Sequence, residues 1–188
     1  MLQVIDKIEI KNVERPDKYF FNEGAPAMDI LDFEAEYDIE LPYFHKVFLN
    51  RLDGGFISQI KVSNSTELET AAWNSINLFS LSEIEEAYLD LSLRNWKIIG
   101  PAPEIYPFIP FARTAIGELL IFVNPLDKYN ECPVFDAFHE DPSEDWGCLY
   151  TDFSLFLADY VKNDGVLKTI SYEHPTVTEY MKKQLKEN

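Results

Sequence analysis

Phe44, Val47, Phe48 and Leu52 recur at helical spacing and predict an amphipathic helix whose two ends are also written in the chain. Pro42 suits its first turn, where a missing N–H is no loss and φ is already near helical. Gly54 and Gly55 supply the positive-φ stop, and Phe56 to Val62 continue as a strand. Met28, Leu31, Phe33 and Tyr37 predict a preceding helix, ending ahead of Ile39-Glu40-Leu41-Pro42. Residues 4–13 alternate loosely through Val4, Ile8, Ile10 and Val13, a pattern that predicts an edge strand. Two prolines and a glycine make Glu14 to Pro26 a loop-rich arm.

Further along, Ser63 to Thr70 is polar and reads as a loop, and Ile76 to Phe79 as a short extended run. Ser82 and Glu85 form a capping box for a helix whose face is Ile84, Ala87, Tyr88 and Leu91. Residues 95–107, with three prolines and one glycine, are a connection. Phe108 to Ala112, Glu118 to Val123 and Pro133 to Phe138 are rich in Ile, Phe and Val and predict three strands. Gly117 bends the first into the second, and Asn124-Pro125 ends the second. Trp146 to Tyr150 predicts another short strand. Thr151 or Asp152 caps a helix with the face Phe153, Phe156, Leu157 and Tyr160, which Gly165 ends. Pro175 to Lys186 forms a last helix through Val177, Tyr180, Met181 and Leu185. Helices interleaved with hairpin strands, without internal repeats, indicate an α+β fold built on a mainly antiparallel sheet.

Composition narrows the function. The 188 residues suffice for one domain with modest extensions, and 14% aromatic content opposes disorder. No apolar run approaches the roughly 20 residues that span a bilayer, and MLQVIDKIEIK lacks the continuous apolar core of a secretion signal. A cytoplasmic protein is expected. Cys132 and Cys148 are too few for a disulfide framework and read as reduced, partly buried thiols. A zinc site of Cys132, His139 and Cys148 would lack a fourth ligand, so no metal or cofactor is expected.

Net charge is −17, from 33 acids against 16 bases, and the acids are clustered. Seven carboxylates and no Lys or Arg lie between Lys18 and Lys46, six between Lys61 and Arg94, and eight between Lys128 and Lys162. Such an excess fits plain solubility and steering of a basic partner equally well. It excludes direct nucleic-acid binding, which needs clustered cations.

Residues at the element joints carry a resemblance. Leu41-Pro42 opens an apolar helix, Asp53-Gly54-Gly55 stands at its end, and Leu78-Phe79-Ser80-Leu81-Ser82-Glu83-Ile84 leads a strand into a helix. Ile109-Pro110-Phe111-Ala112, Gly117-Glu118, His139-Glu140 and Phe153 to Phe156-Leu157 follow in order. In this order the pieces resemble the SUKH (Smi/Knr-like) superfamily, which includes bacterial immunity proteins and yeast regulators of cell-wall glucan synthesis. The typical motifs have Asn in place of Asp53 and Asp in place of Glu118; both departures keep the local chemistry. The resemblance covers residues 27–162, leaving 1–26 as an N-terminal arm and 163–188 as a C-terminal extension with a helix. It implies a single α+β domain and a non-catalytic, protein-binding module. The bacterial type binds and neutralises a cognate toxin domain, of nuclease or deaminase kind; the fungal type is a regulatory scaffold. No shared catalytic residues can be transferred.

Among candidate sites, His139-Glu140-Asp141 with Glu144 and Asp145 is the constellation closest to metal or acid–base chemistry. It has no second histidine nearby and reads better as a strand end opening into a solvated acidic loop. No Gly-x-Ser-x-Gly nucleophile or phosphate loop is present. The expected partner-binding residues are therefore that loop with His139, Glu140, Asp141, Glu144 and Asp145, with Trp146 as aromatic anchor, and Asp38 and Glu40 as further acids. The expected partner is a basic protein; neither membrane nor nucleic acid is expected.

Overall fold

The computed structural model describes residues 2–93, 108–124, 126, 129–137, 145–167 and 175–187. Seven strands form one antiparallel sheet whose spatial order follows the chain: β1 Tyr19–Phe21, β2 Gly55–Ile57, β3 Asn77–Leu78, β4 Phe108–Arg113, β5 Leu119–Val123, β6 Val134–Ala137 and β7 Cys148–Tyr150. Helices α1 Leu2–Glu14, α2 Ala27–Tyr37, α3 Tyr43–Arg51, α4 Ser65–Trp73 and α5 Leu81–Leu93 precede or interrupt the first strands. Helices α6 Phe153–Lys162 and α7 Val177–Glu187 follow the last. The expected α+β class with a mainly antiparallel sheet is what the chain adopts.

Cross-strand partners share a face of a pleated sheet, so the pairing register sorts the core. Ile109 opposite Phe122 marks the first face. There Phe111 stacks on Phe122 at 4.2 Å, and Phe153 and Phe156 of α6 meet Phe111 edge-on. Phe48 of α3 meets Phe153 at 5.7 Å, which closes this layer. The predicted α6 face, Phe153, Phe156, Leu157 and Tyr160, is wholly buried, and Asp152 caps the helix by accepting the Leu155 N–H. On the second face Phe135 packs on Tyr180 of α7, and Phe108 on Trp146. Pro110 sits where the β4–β5 register shifts, a place that tolerates its missing N–H. Phe111 beside it accepts the Phe79 N–H through its carbonyl.

Five expectations are corrected. Residues 4–13 are helical, because Ile5 and Ile8, spaced for a helix, are the buried pair while Ile10 and Val13 are exposed. The loose alternation that suggests a strand is overridden by this helical pair. The arm 14–26 contains β1, which pairs with β2. Ser63 to Thr70 lies largely in α4, whose N-terminus is capped by Asn64 accepting the Glu67 N–H and Glu67 accepting the Ser63 N–H. The capping box of α5 is Ser80 with Glu83, one pair earlier than expected. β2 is also shorter than predicted, because the Ser58 hydroxyl bonds both the N–H and the carbonyl of Ile60 and turns the chain. The connection 95–107 lies outside the described residues.

The open edge of β1 is occupied by a side chain. Asn12 accepts the Phe21 N–H and donates to the Phe21 carbonyl, both at 3.1 Å, as a neighbouring strand would. Asn12→Ala should lower stability by about 1 kcal/mol and promote self-association through the freed edge. Urea unfolding and light scattering check this; an unchanged midpoint with no added association would contradict it.

Candidate partner-binding site

A cleft of about 450 Å³ opens between α2, the turn after α3, and the start of α5. Its charged lining is wholly acidic: Asp29, Asp32, Glu36, Asp53 and Glu85. The first three lie at i, i+3 and i+7 on α2, one exposed helical stripe. Asp53 comes from the Asp53-Gly54-Gly55 turn, and its Oδ1 accepts the Leu81 N–H at 2.7 Å, fixing the first turn of α5. Burial raises the Asp53 carboxyl above its ordinary range; the Leu81 N–H opposes this, and the charges of Glu83 and Asp29 add to it. Glu85 accepts the Tyr37 hydroxyl at 2.7 Å, which, with some desolvation, pushes the phenol up to about 12.

The turn holding Asp53 tolerates no side chain. Gly54 has φ +77°, and a Cβ there would lie 2.4 Å from the Ser80 nitrogen. At Gly55, φ +128°, a Cβ would meet the Phe20 carbonyl oxygen at 2.2 Å. The close approach of β1, β2 and the head of α5 thus sets where Asp53 stands.

Ion pairing does not account for these acids. No cleft carboxylate forms an ion pair among the described residues, whereas Glu34 pairs with Lys46, Asp6 and Glu9 with Arg51, and Asp164 with Lys18. Glu34, Glu36 and Asp38 crowd the C-terminal end of α2 with no base in its last turn, where the helix dipole disfavours anions. The cleft therefore concentrates negative potential without a counter-charge among the described residues.

The expected site residues are dispersed. Asp38, at φ 49°, closes α2, and Glu40 follows it; both are exposed. They lead into the start of α3, where Tyr43 N–H donates to the Asn130 carbonyl, beside the entry to β6. Asp145 is exposed but precedes β7, near the other end of β6, where Asp136 N–H donates to the Gly147 carbonyl. One strand length thus separates the two groups. Trp146 is a correction: it is 1% exposed and packs on Phe108, so its indole belongs to the core and anchors no partner. His139, Glu140, Asp141 and Glu144 lie outside the described residues. The cleft residues were not among the expected site because three distant segments assemble them; the i, i+3, i+7 acids of α2 were the available signal.

Other reactive groups are committed to the core. Cys132 and Cys148 are free, buried thiols that donate to main-chain carbonyls, and burial pushes the Cys148 thiol up to about 12. Such a thiol is a poor nucleophile. Among the described residues, no three His, Cys, Asp or Glu side chains are grouped to hold a metal ion, and no helix is long and apolar enough to cross a membrane.

A search of curated proteins finds no match. The sequence model of the SMI1 / KNR4 family (SUKH-1) matches residues 24–159, from the loop before α2 into α6. That span includes the acidic cleft and all strands but β1. The chain belongs to the SMI1 / KNR4 family (SUKH-1), generally non-catalytic binding modules, a membership that fits a protein-binding role in immunity or regulation.

Proposed function

We propose that this chain is a cytoplasmic immunity protein that binds and neutralises a cationic toxin domain of nuclease or deaminase type. The unpaired acidic cleft carries this reading: five carboxylates held without counter-ions offer a surface that replaces nucleic-acid phosphates for a basic active face. Asp38 and Glu40 extend the anionic surface beyond α2. Long-range attraction speeds encounter and orients the partner, and short-range packing then sets residence time.

The test uses a basic toxin domain, sought in the genes next to this chain's own. Association should slow by about tenfold or more between low and moderate salt, because screening shortens the reach of the field. The D29N/D32N/E36Q variant should associate about tenfold more slowly at low salt and lose most of that salt dependence. A rate indifferent to ionic strength, or a variant equal to the parent, would overturn the reading. The H139A/E140Q variant should still rescue toxin-exposed cells, since binding and not turnover protects them; lost rescue with retained binding would point to a hydrolase.

A further inference from the structure

The second face of the sheet is covered unevenly. α7 packs over β6 through Tyr180 on Phe135. Toward β1, the register places Phe20, Phe56, Asn77 and Arg113 in one row across four strands. Two hollows of about 350 and 630 Å³ flank α4 along this row and share Ala72 and Asn77 as walls. Together they make a groove spanning four strands, about 14 Å at the usual strand spacing.

The smaller hollow has a chemistry opposite to the acidic cleft. Phe20 stacks on Phe56 at the floor of the groove, and Leu68 lines the larger hollow. At the other end Trp73 and Ile116 are 73% and 79% exposed, large apolar groups held in water. Arg113 lines the smaller hollow with no ion pair among the described residues, its guanidinium resting 5.5 Å from the Phe79 ring centroid. The Ser75 hydroxyl is buried in the wall of the same hollow without a hydrogen-bond partner. An uncompensated cation in a chain of net charge −17, beside an orphan hydroxyl and an exposed indole, is arranged for an anion attached to an apolar body. Glu69 and Glu83 line the larger hollow and give it the opposite sign to the Arg113 hollow.

We infer that this groove is a second binding site, which takes an extended peptide segment of four or so residues, with apolar side chains and an Asp or Glu at the Arg113 end. The length follows from about 3.3 Å per extended residue, and the polarity from Arg113 in the smaller hollow and Glu69 and Glu83 in the larger. The site is independent of the acidic cleft, with which it shares no lining residue.

Selection of a random heptapeptide phage library on the immobilised full chain tests this. Enriched peptides should share an acidic residue next to apolar ones. A synthetic copy of the leading peptide should shift the Trp73 indole N–H resonance of the 15N-labelled chain and leave that of buried Trp146 in place. Arg113→Glu should weaken binding about tenfold and Trp73→Ala roughly thirtyfold, with Arg113→Lys retaining most of it. Both positions are exposed, and an unchanged melting curve shows each variant is folded. The D29N/D32N/E36Q variant should bind the peptide as the parent does, which separates this site from the toxin-docking reading. Three results would overturn the inference: no enrichment, binding that survives both Arg113→Glu and Trp73→Ala, or a Trp73 response to AMP with none to any peptide.

Discussion

Tyr160→Phe is expected to lower the unfolding free energy by about 3 kcal/mol, although it removes one oxygen atom from a ring that stays in place. The Tyr160 hydroxyl accepts the Ile57 N–H at 2.8 Å and donates to the Ile76 carbonyl at 3.0 Å. The side chain is fully buried, and burial raises the phenol above its ordinary range, so it remains neutral at every relevant pH. Phenylalanine would leave a main-chain donor and a main-chain acceptor dry and unpaired, and each such group costs about 1–3 kcal/mol. The two groups belong to β2 and to the lead-in of β3, so one hydroxyl on α6 ties together the strands flanking the Asp53 turn. Urea unfolding measures the loss, and hydrogen exchange at the Ile57 amide should accelerate in parallel. A loss below about 0.5 kcal/mol would show that these backbone groups find other partners.

That connection clarifies which parts of the molecule were readable from sequence. Strongly periodic segments announced themselves. The α6 face is buried residue for residue, and α3 lies where expected. Pro42, however, is its N-cap and not a first-turn residue, and the chain leaves the helix extended at Leu52, two residues before Gly54. Element type failed where propensity and period disagreed. In α1, the β-branched Val4, Ile5, Ile8, Ile10 and Val13 suggest a strand, yet only the helical pair Ile5 and Ile8 is fully buried. α4 failed for another reason: its nine residues bury only Ala71, leaving little apolar signal to read. Trp146 misled because it lies beside acids in the sequence and beside Phe108 in space. Its neighbours in the chain gave no hint of the contact across the sheet. The acidic cleft was half legible. Its α2 acids are periodic in sequence, whereas Asp53 and Glu85 join them only through tertiary contacts, Asp53 on the Leu81 N–H and Glu85 on the Tyr37 hydroxyl.

His45 should dominate the acid sensitivity of the fold, and His45→Phe should remove that sensitivity. The imidazole is enclosed by Phe48 on its own helix, Phe111 and Phe122 from the sheet, and Phe153 of α6, with centroid distances of 4.9–6.3 Å. None of these neighbours titrates or carries charge. The Nδ1 atom has no hydrogen-bond partner, and desolvation lowers the imidazole pKa from 6.5 to about 3. Above pH 6.5 both folded and unfolded chains hold the ring neutral, and stability is fully present. Between pH 6.5 and about 3 the unfolded chain binds a proton that the folded chain refuses, so stability falls with pH. The slope approaches about 1.4 kcal/mol per pH unit, which amounts to roughly 3 kcal/mol by pH 4.5. Carboxylate protonation also relieves self-repulsion in a chain of net charge −17, with the opposite sign, so the raw profile mixes two effects. Subtracting the His45→Phe profile from the parent's cancels the carboxylates common to both. Near pH 7.5 the two proteins should agree within about 1 kcal/mol, because phenylalanine removes an orphan polar atom but adds some bulk. Their difference should then widen steadily below pH 6.5 in favour of the variant. Parallel profiles would mean that the ring is paired, or reaches solvent, before it charges.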